Sequence, residues 1–147
     1  PTDAMMNAFD VMLVDLQDLG CRIYTFITTL RYVLEAASRH RKAVWVLDRP
    51  NPAGRPVAGL KLRSGWESFV GAGPLPMRHG LTLGELGLWF VKMLKLDVDF
   101  RIIELKDWQP DAAPGFGWPL GERVWINPSP NAPNLWMARA YAGAVML

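Results

Sequence analysis

The chain has 147 residues, half of them hydrophobic and a fifth charged, with a formal net charge of +2. That length suits one domain, able to bury roughly 70% of the surface its unfolded form exposes. A single cysteine, Cys21, excludes an intrachain disulfide and a cysteine-based metal site; so small a net charge is no nucleic-acid signature; and no apolar run reaches the ~18 residues of a membrane span.

Residue 1 onward shows no basic stretch with an apolar core behind it, so no signal peptide is visible. The chain opens on Pro1 and closes on Ala-Val-Met-Leu inside an apolar run, and both ends read as cut. Seven Trp, 12 Pro and 13 Gly point to long irregular loops with much aromatic material to pack.

Residues 1 to 9 read as a frayed helix end leading into a first strand. Val11 to Val14 is too short and too β-branched for a helix, and suits a buried strand. It stops at Asp15, where a dense polar set follows: Asp15, Gln17, Asp18, Arg22 and Tyr24, with Gly20 punctuating the turn. Tyr24 to Arg41 reads as a helix, with Phe26, Ile27, Leu30, Val33, Leu34 and Ala37 on one face. The basic run Arg39 to Lys42 falls at its C-terminus, where it complements the helix dipole.

Ala43 to Leu47 is a second strand, again ending in a carboxylate, Asp48. A strand, helix and strand in so short a span make a βαβ unit with parallel neighbours and both acids at one edge. From Arg49 to Gly80 prolines and glycines dissolve the pattern, and Trp66, Phe69, Val70, Leu75 and Met77 suggest an ordered cover over the sheet edge. Thr82-Leu83-Gly84-Glu85 is a capping box that opens a helix to about Lys95. Phe100, Ile102 and Ile103 mark a third strand. Trp108 to Val124 is a second irregular loop, Trp125 to Pro133 a rigid Pro-rich segment, and Asn134 caps a last helix from Leu135. The fold expected is α/β: one domain over residues 1–147, Rossmann-like, with a mostly parallel sheet, flanking helices and long Pro/Gly/Trp-rich loops at the carboxyl edge.

Ligands of open α/β sheets bind outside the carboxyl ends of the strands. Asp15, Asp18 and Asp48 therefore come first as candidates. Adjacent strands lie ~4.8 Å apart, so acids at neighbouring strand ends can reach the ~5–9 Å separations of glycosidases. Crowding also raises one carboxyl pKa, as a general acid requires. The alternative is that these acids accept backbone N–H bonds and orient Arg22 and Arg49. Glu85 is accounted for by the capping box. His79, between Arg78 and Gly80, suits a substrate oxygen or acid/base work. The only other histidine, His40, lies on a different element, which argues against a His-based metal site. Arg22, Arg49 and Arg78 suit a carboxylate, and Asn51, Asn127 and Asn131 suit hydroxyl or acetamido groups. Strand 1 is followed by no dinucleotide fingerprint and no P-loop, and no cofactor is expected.

Asp15-Leu16-Gln17-Asp18-Leu19-Gly20, Arg22 with Tyr24, Leu47-Asp48-Arg49-Pro50-Asn51-Pro52, Arg78-His79-Gly80 with Thr82-Leu83-Gly84-Glu85-Leu86, and Pro128-Ser129-Pro130-Asn131 occur in this order. Together they resemble the bacterial exo-β-N-acetylmuramidase family, NamZ-like. Outside these motifs Cys21 replaces a usual aliphatic residue, and Ala142 a usual Pro between Tyr141 and Gly143. The resemblance implies a hydrolase that releases N-acetylmuramic acid from the non-reducing ends of peptidoglycan fragments, outside the cytoplasm and without a metal. The carboxylates read above, Asp15, Asp18 and Asp48, are then expected to border the reaction centre. Substrate would be held by Arg22, Tyr24, Arg49 and Asn51, and by Arg78, His79 and Asn131. The family pattern also has Pro-Glu-His-Gly before the first strand and Glu-Gly beyond the segment matching Tyr141 to Leu147. This chain has neither, and the first block's glutamate is a candidate catalytic residue, so the fragment is expected to be inactive alone. Rival readings are another small-molecule hydrolase or transferase on the same sheet, and a catalytically inactive muropeptide-binding domain.

Overall fold

The computed structural model describes residues 1–109 and 125–144. Its elements in chain order are α1 (Asp3–Asn7), β1 (Val11–Val14), α2 (Phe26–His40), β2 (Ala43–Leu47), α3 (Leu83–Leu94), β3 (Phe100–Ile103) and α4 (Leu135–Ala144). The three strands form one sheet in the order β1-β2-β3, and both pairings are parallel. Val14 lies beside Val46, and Leu47 beside Ile103. The strand ends therefore fall at one level, and Asp15, Asp48 and Glu104 each follow a strand there. This is the expected α/β, mostly parallel architecture with flanking helices. Most of the second irregular loop, residues 110–124, lies outside the described residues.

Side chains alternate across each strand, and the alternation decides what is buried. Met12 and Val14, Val44 and Val46, and Phe100 share the face that α2 and α3 cover. Helix α2 brings Ile27, Leu30 and Leu34 to it, and α3 brings Leu83, Leu86 and Phe90. Each such side chain contributes about 1.5–3 kcal/mol on burial. The other face stays open: Leu13 is 57% exposed and Ile103 43%, and the Arg101 guanidinium lies over the Trp45 ring at 5.2 Å.

The capping box that opens α3 is complete: the Thr82 hydroxyl accepts from the Glu85 N–H, and Glu85 accepts from the Thr82 N–H. Two glycines let α3 press onto the sheet. A Cβ on Gly87 would lie 2.4 Å from Phe100, and one on Gly84 would lie 2.8 Å from both Asp48 and Ile102. Helices α2 and α3 end in left-handed residues that are not glycine, Arg41 (φ 53°) and Lys95 (φ 52°). Part of the basic run has local partners, with His40 3.4 Å from Asp3 and Lys42 3.8 Å from Asp10.

The long loop between β2 and α3 is tied to α2 and the turn before it. Arg22 donates to the carbonyls of Leu60 and Leu75. The Thr28 hydroxyl donates to Phe69, and Arg31 donates to Ala72.

Candidate active site at the carboxyl edge

Beyond the strand ends opens a cavity of about 660 Å³. Its walls come from the three strand exits, Asp15 to Gln17, Leu47 to Pro50 and Ile103 to Lys106. Among the described residues, Phe26 and the Trp125–Pro128 segment add to them. None of residues 51–80 lines it, so the long loop is not its cover.

Asp15 and Arg49 form an ion pair across the exits of β1 and β2. The Arg49 Nε donates to Asp15 Oδ1 at 2.7 Å, and Nη2 lies 2.5 Å from the same oxygen. Both side chains are about half exposed. Asp48 is engaged differently. Its Oδ2 accepts from the Thr82 hydroxyl at 2.6 Å, and its Oδ1 accepts from the N–H groups of Gly84 at 2.8 Å and Arg49 at 3.0 Å. Strand alternation explains the difference. Asp48 follows Val44 and Val46 on the α3 side of the sheet, whereas Asp15 follows Val11 and Leu13 on the open side. Two acids at one edge thus turn to opposite sides of the sheet plane.

Burial pushes the Asp48 carboxyl above the usual carboxylate range, and the nearby Glu85 charge adds to the rise. The hydrogen bonds from Thr82, Gly84 and Arg49 work against it without cancelling it. At Glu85 burial also acts upward, but the hydrogen bonds from Arg55 and the Thr82 N–H, with the Arg55 charge, outweigh it and hold this carboxyl low. Among the described residues no three His, Cys, Asp or Glu side chains stand together to hold a metal ion.

The structure brings four of the sequence-derived site residues, Asp15, Asp48, Arg49 and Asn127, to the cavity. It places the others elsewhere. Asp18 is buried, with its Oδ2 accepting from the Gly20 N–H and standing 3.2 Å from His79 Nε2. His79 is equally buried, and its Nδ1 accepts from the Leu81 N–H. These two side chains join the β1 exit to the segment before α3 and face no open space. Arg22 is taken up by the long loop, and Arg78 donates to the Ala53 carbonyl. Asn51 is buried, donating to Leu81 and accepting from Gly54. Tyr24 packs edge-on against Phe26 and Tyr141, and burial, with Asp18 and Tyr141 near, pushes its hydroxyl to about 12. Asn131 is exposed in the turn after Pro128 and does not line the cavity.

Glu104 and Lys106 do line it and were missed. The signal existed: Glu104 ends the third strand as Asp15 and Asp48 end the first two.

The family described as "Exo-beta-N-acetylmuramidase NamZ, N-terminal" matches residues 1–136. "Peptidoglycan beta-N-acetylmuramidase NamZ" of Bacillus subtilis (strain 168) is 37% identical over 136 residues, 92% of this chain and 32% of that protein. Two crystal structures of DUF1343 family proteins from Bacteroides fragilis superpose on it. One has a TM-score of 0.84 at 34% identity, over 97% of this chain and 39% of that one. The other has a TM-score of 0.82 at 32% identity, over 99% of this chain and 38% of that one. The chain therefore spans about a third of the length of these relatives. By its sequence over nearly all its length, and by the fold that carries it, the chain belongs to the NamZ family of exo-β-N-acetylmuramidases, in the portion that the family calls N-terminal.

Proposed function

We propose that this chain supplies one wall of the active site of a glycoside hydrolase that releases N-acetylmuramic acid from the non-reducing ends of peptidoglycan fragments. The observation that carries the reading is the cavity at the carboxyl edge, where Asp15, Arg49 and Asp48 meet beyond three parallel strand ends. Family membership supports the chemistry. Since peptidoglycan lies outside the cytoplasmic membrane, the proposed site of action is extracytoplasmic.

Glycoside hydrolysis needs one carboxylic acid to protonate the leaving oxygen and one carboxylate on the other side of the bond. In this reading Asp48, with its raised pKa, sits at the floor of the cavity, and the Asp15–Arg49 pair offers a carboxylate and spare guanidinium donors at its mouth. Asp18 and His79 act from behind, by fixing the β1 exit. The test is release of N-acetylmuramic acid from a chromogenic β-N-acetylmuramide, by the chain and by a polypeptide as long as the relatives. Turnover that survives EDTA, and that falls in Asp15→Asn and Asp48→Asn, is expected; no release from either polypeptide overturns the reading.

One observation favours a second reading, a muropeptide-binding domain without turnover. Oxygens of both carboxylates are already engaged, by Arg49 at Asp15 and by Thr82, Gly84 and Arg49 at Asp48. Muropeptide binding without turnover in the long polypeptide would select it.

A further inference from the structure

The polar groups of the cavity divide into two walls. The wall built from β1 and β2 is largely occupied with itself. Arg49 is held on Asp15, Asp48 is held on Thr82 and Gly84, and the Gln17 amide donates to the carbonyls of Asp18 and Pro50. The wall built from the exit of β3 and the Trp125–Pro128 segment is not. Glu104, Lys106 and Asn127 line the cavity, are exposed, and make no side-chain hydrogen bond or ion pair among the described residues. Glu104 and Lys106 stand close in sequence, yet they form no ion pair with each other.

This asymmetry decides where an anionic group settles. A carboxylate approaching Arg49 meets Asp15 as well, and the two charges there already cancel in large part. A carboxylate approaching Lys106 meets a cation that no carboxylate pairs among the described residues. A lysine ammonium is a compact charge on a flexible stem, suited to following a substituent that projects from a ring.

We infer that Lys106 reads an anionic substituent on the bound sugar and gives the cavity its preference for a carboxylated pyranose over the uncharged one. The inference rests on the proposed sugar-binding role of the cavity and adds to it the residue that selects the sugar. Asn127 and Glu104, on the same wall, are placed to meet the sugar's amide and hydroxyl groups. Because Lys106 is exposed, the preference it confers is electrostatic and screened by salt.

The experiment measures binding of the methyl β-glycosides of N-acetylmuramic acid and N-acetylglucosamine to the whole chain by calorimetry, at low and high salt. These two sugars differ by the lactyl group that bears the carboxylate. Wild type is expected to bind the muramic glycoside about tenfold more tightly at low salt, with the margin narrowing at high salt. Lys106→Met is expected to lose that margin while binding the glucosamine glycoside as before, and Lys106→Arg to keep most of it. A Lys106→Met variant that retains the full preference overturns the inference and leaves the sugar cavity standing. So does a wild type that binds both glycosides equally. Binding of neither sugar by wild type removes the cavity reading itself, and the inference falls with it.

Discussion

The Asp48 carboxylate accepts the Thr82 hydroxyl at 2.6 Å and the Gly84 N–H at 2.8 Å, so the residue that follows β2 holds the first turn of α3. An acid that looks like a reagent from the sequence is also a helix anchor. Replacing Asp48 by Ala strands a hydroxyl and an N–H that it now satisfies. Leaving a buried donor unmet costs about 1–3 kcal/mol. Urea unfolding of Asp48→Ala should show a loss in that range. Asp48→Asn, which keeps an acceptor, should lose less. Equal stability of Asp48→Ala and wild type would show that the anchor carries no weight.

The two carboxyls at this helix start give opposite pH dependences. Asp48 has a raised folded-state pKa, so the stability it contributes is fully present below its unfolded pKa and is lost as pH rises through the folded value. Glu85 has a lowered folded-state pKa, so its contribution is present above its unfolded pKa and is lost as pH falls through the folded value. Melting temperatures of wild type, Asp48→Asn and Glu85→Gln across acid to neutral pH read both. The wild-type advantage over Glu85→Gln should shrink on acidification. Relative to Asp48→Asn, wild type should lose ground as pH rises through the carboxylate range. Parallel curves for all three proteins would contradict the assignment.

Asp18 and His79 are 2% and 3% exposed and lie 3.2 Å apart. Removing His79 takes away the acceptor of the Leu81 N–H and leaves a void beside the buried Asp18 side chain, and leaving a buried donor unmet costs about 1–3 kcal/mol. His79→Ala should be destabilised on that scale. The double variant with Asp18→Ala should cost less than the sum of the two singles, because the two buried side chains are in contact and share one space. Additive losses in a denaturation cycle would show that the two side chains do not interact.

Gly87 sits where a Cβ would lie 2.4 Å from Phe100. Alanine is the better helix former by about 1 kcal/mol, yet Gly87→Ala should destabilise, since overpacking a core costs about 1–3 kcal/mol. Trimming the obstacle should reverse the sign: in a Phe100→Leu background the same alanine should be better tolerated. Chemical denaturation of the four proteins checks it.

Much of this architecture was readable in advance. Val11–Val14, Ala43–Leu47 and Phe100–Ile103 were legible because short β-branched runs between turn signals have few alternatives. The Thr82–Glu85 box was legible because capping is local chemistry. The site was read less well. Asp18 and Asp15 are near neighbours and chemically identical, and which of them is sealed depends on how a distant segment carrying His79 folds back. Arg22 and Arg78 look like ligand-binding guanidiniums until loop carbonyls take them up. Yet the side of the sheet to which Asp48 turns was available from strand parity. The polar exit of β3 was available too, had the rule applied to β1 and β2 been carried to the third strand.

Both crossover helices turn their last corner on a cation in a left-handed conformation, Arg41 at φ 53° and Lys95 at φ 52°. Such a residue costs about 1 kcal/mol more there than glycine, while positive charge at a helix C-terminus returns about 0.3–1 kcal/mol at low ionic strength. Brine removes the second quantity and leaves the first. The two corners are therefore points of ionic weakness in the scaffold, where a concentrated electrolyte should fray α2 and α3 from their ends, and where a glycine would make the chain more tolerant of salt.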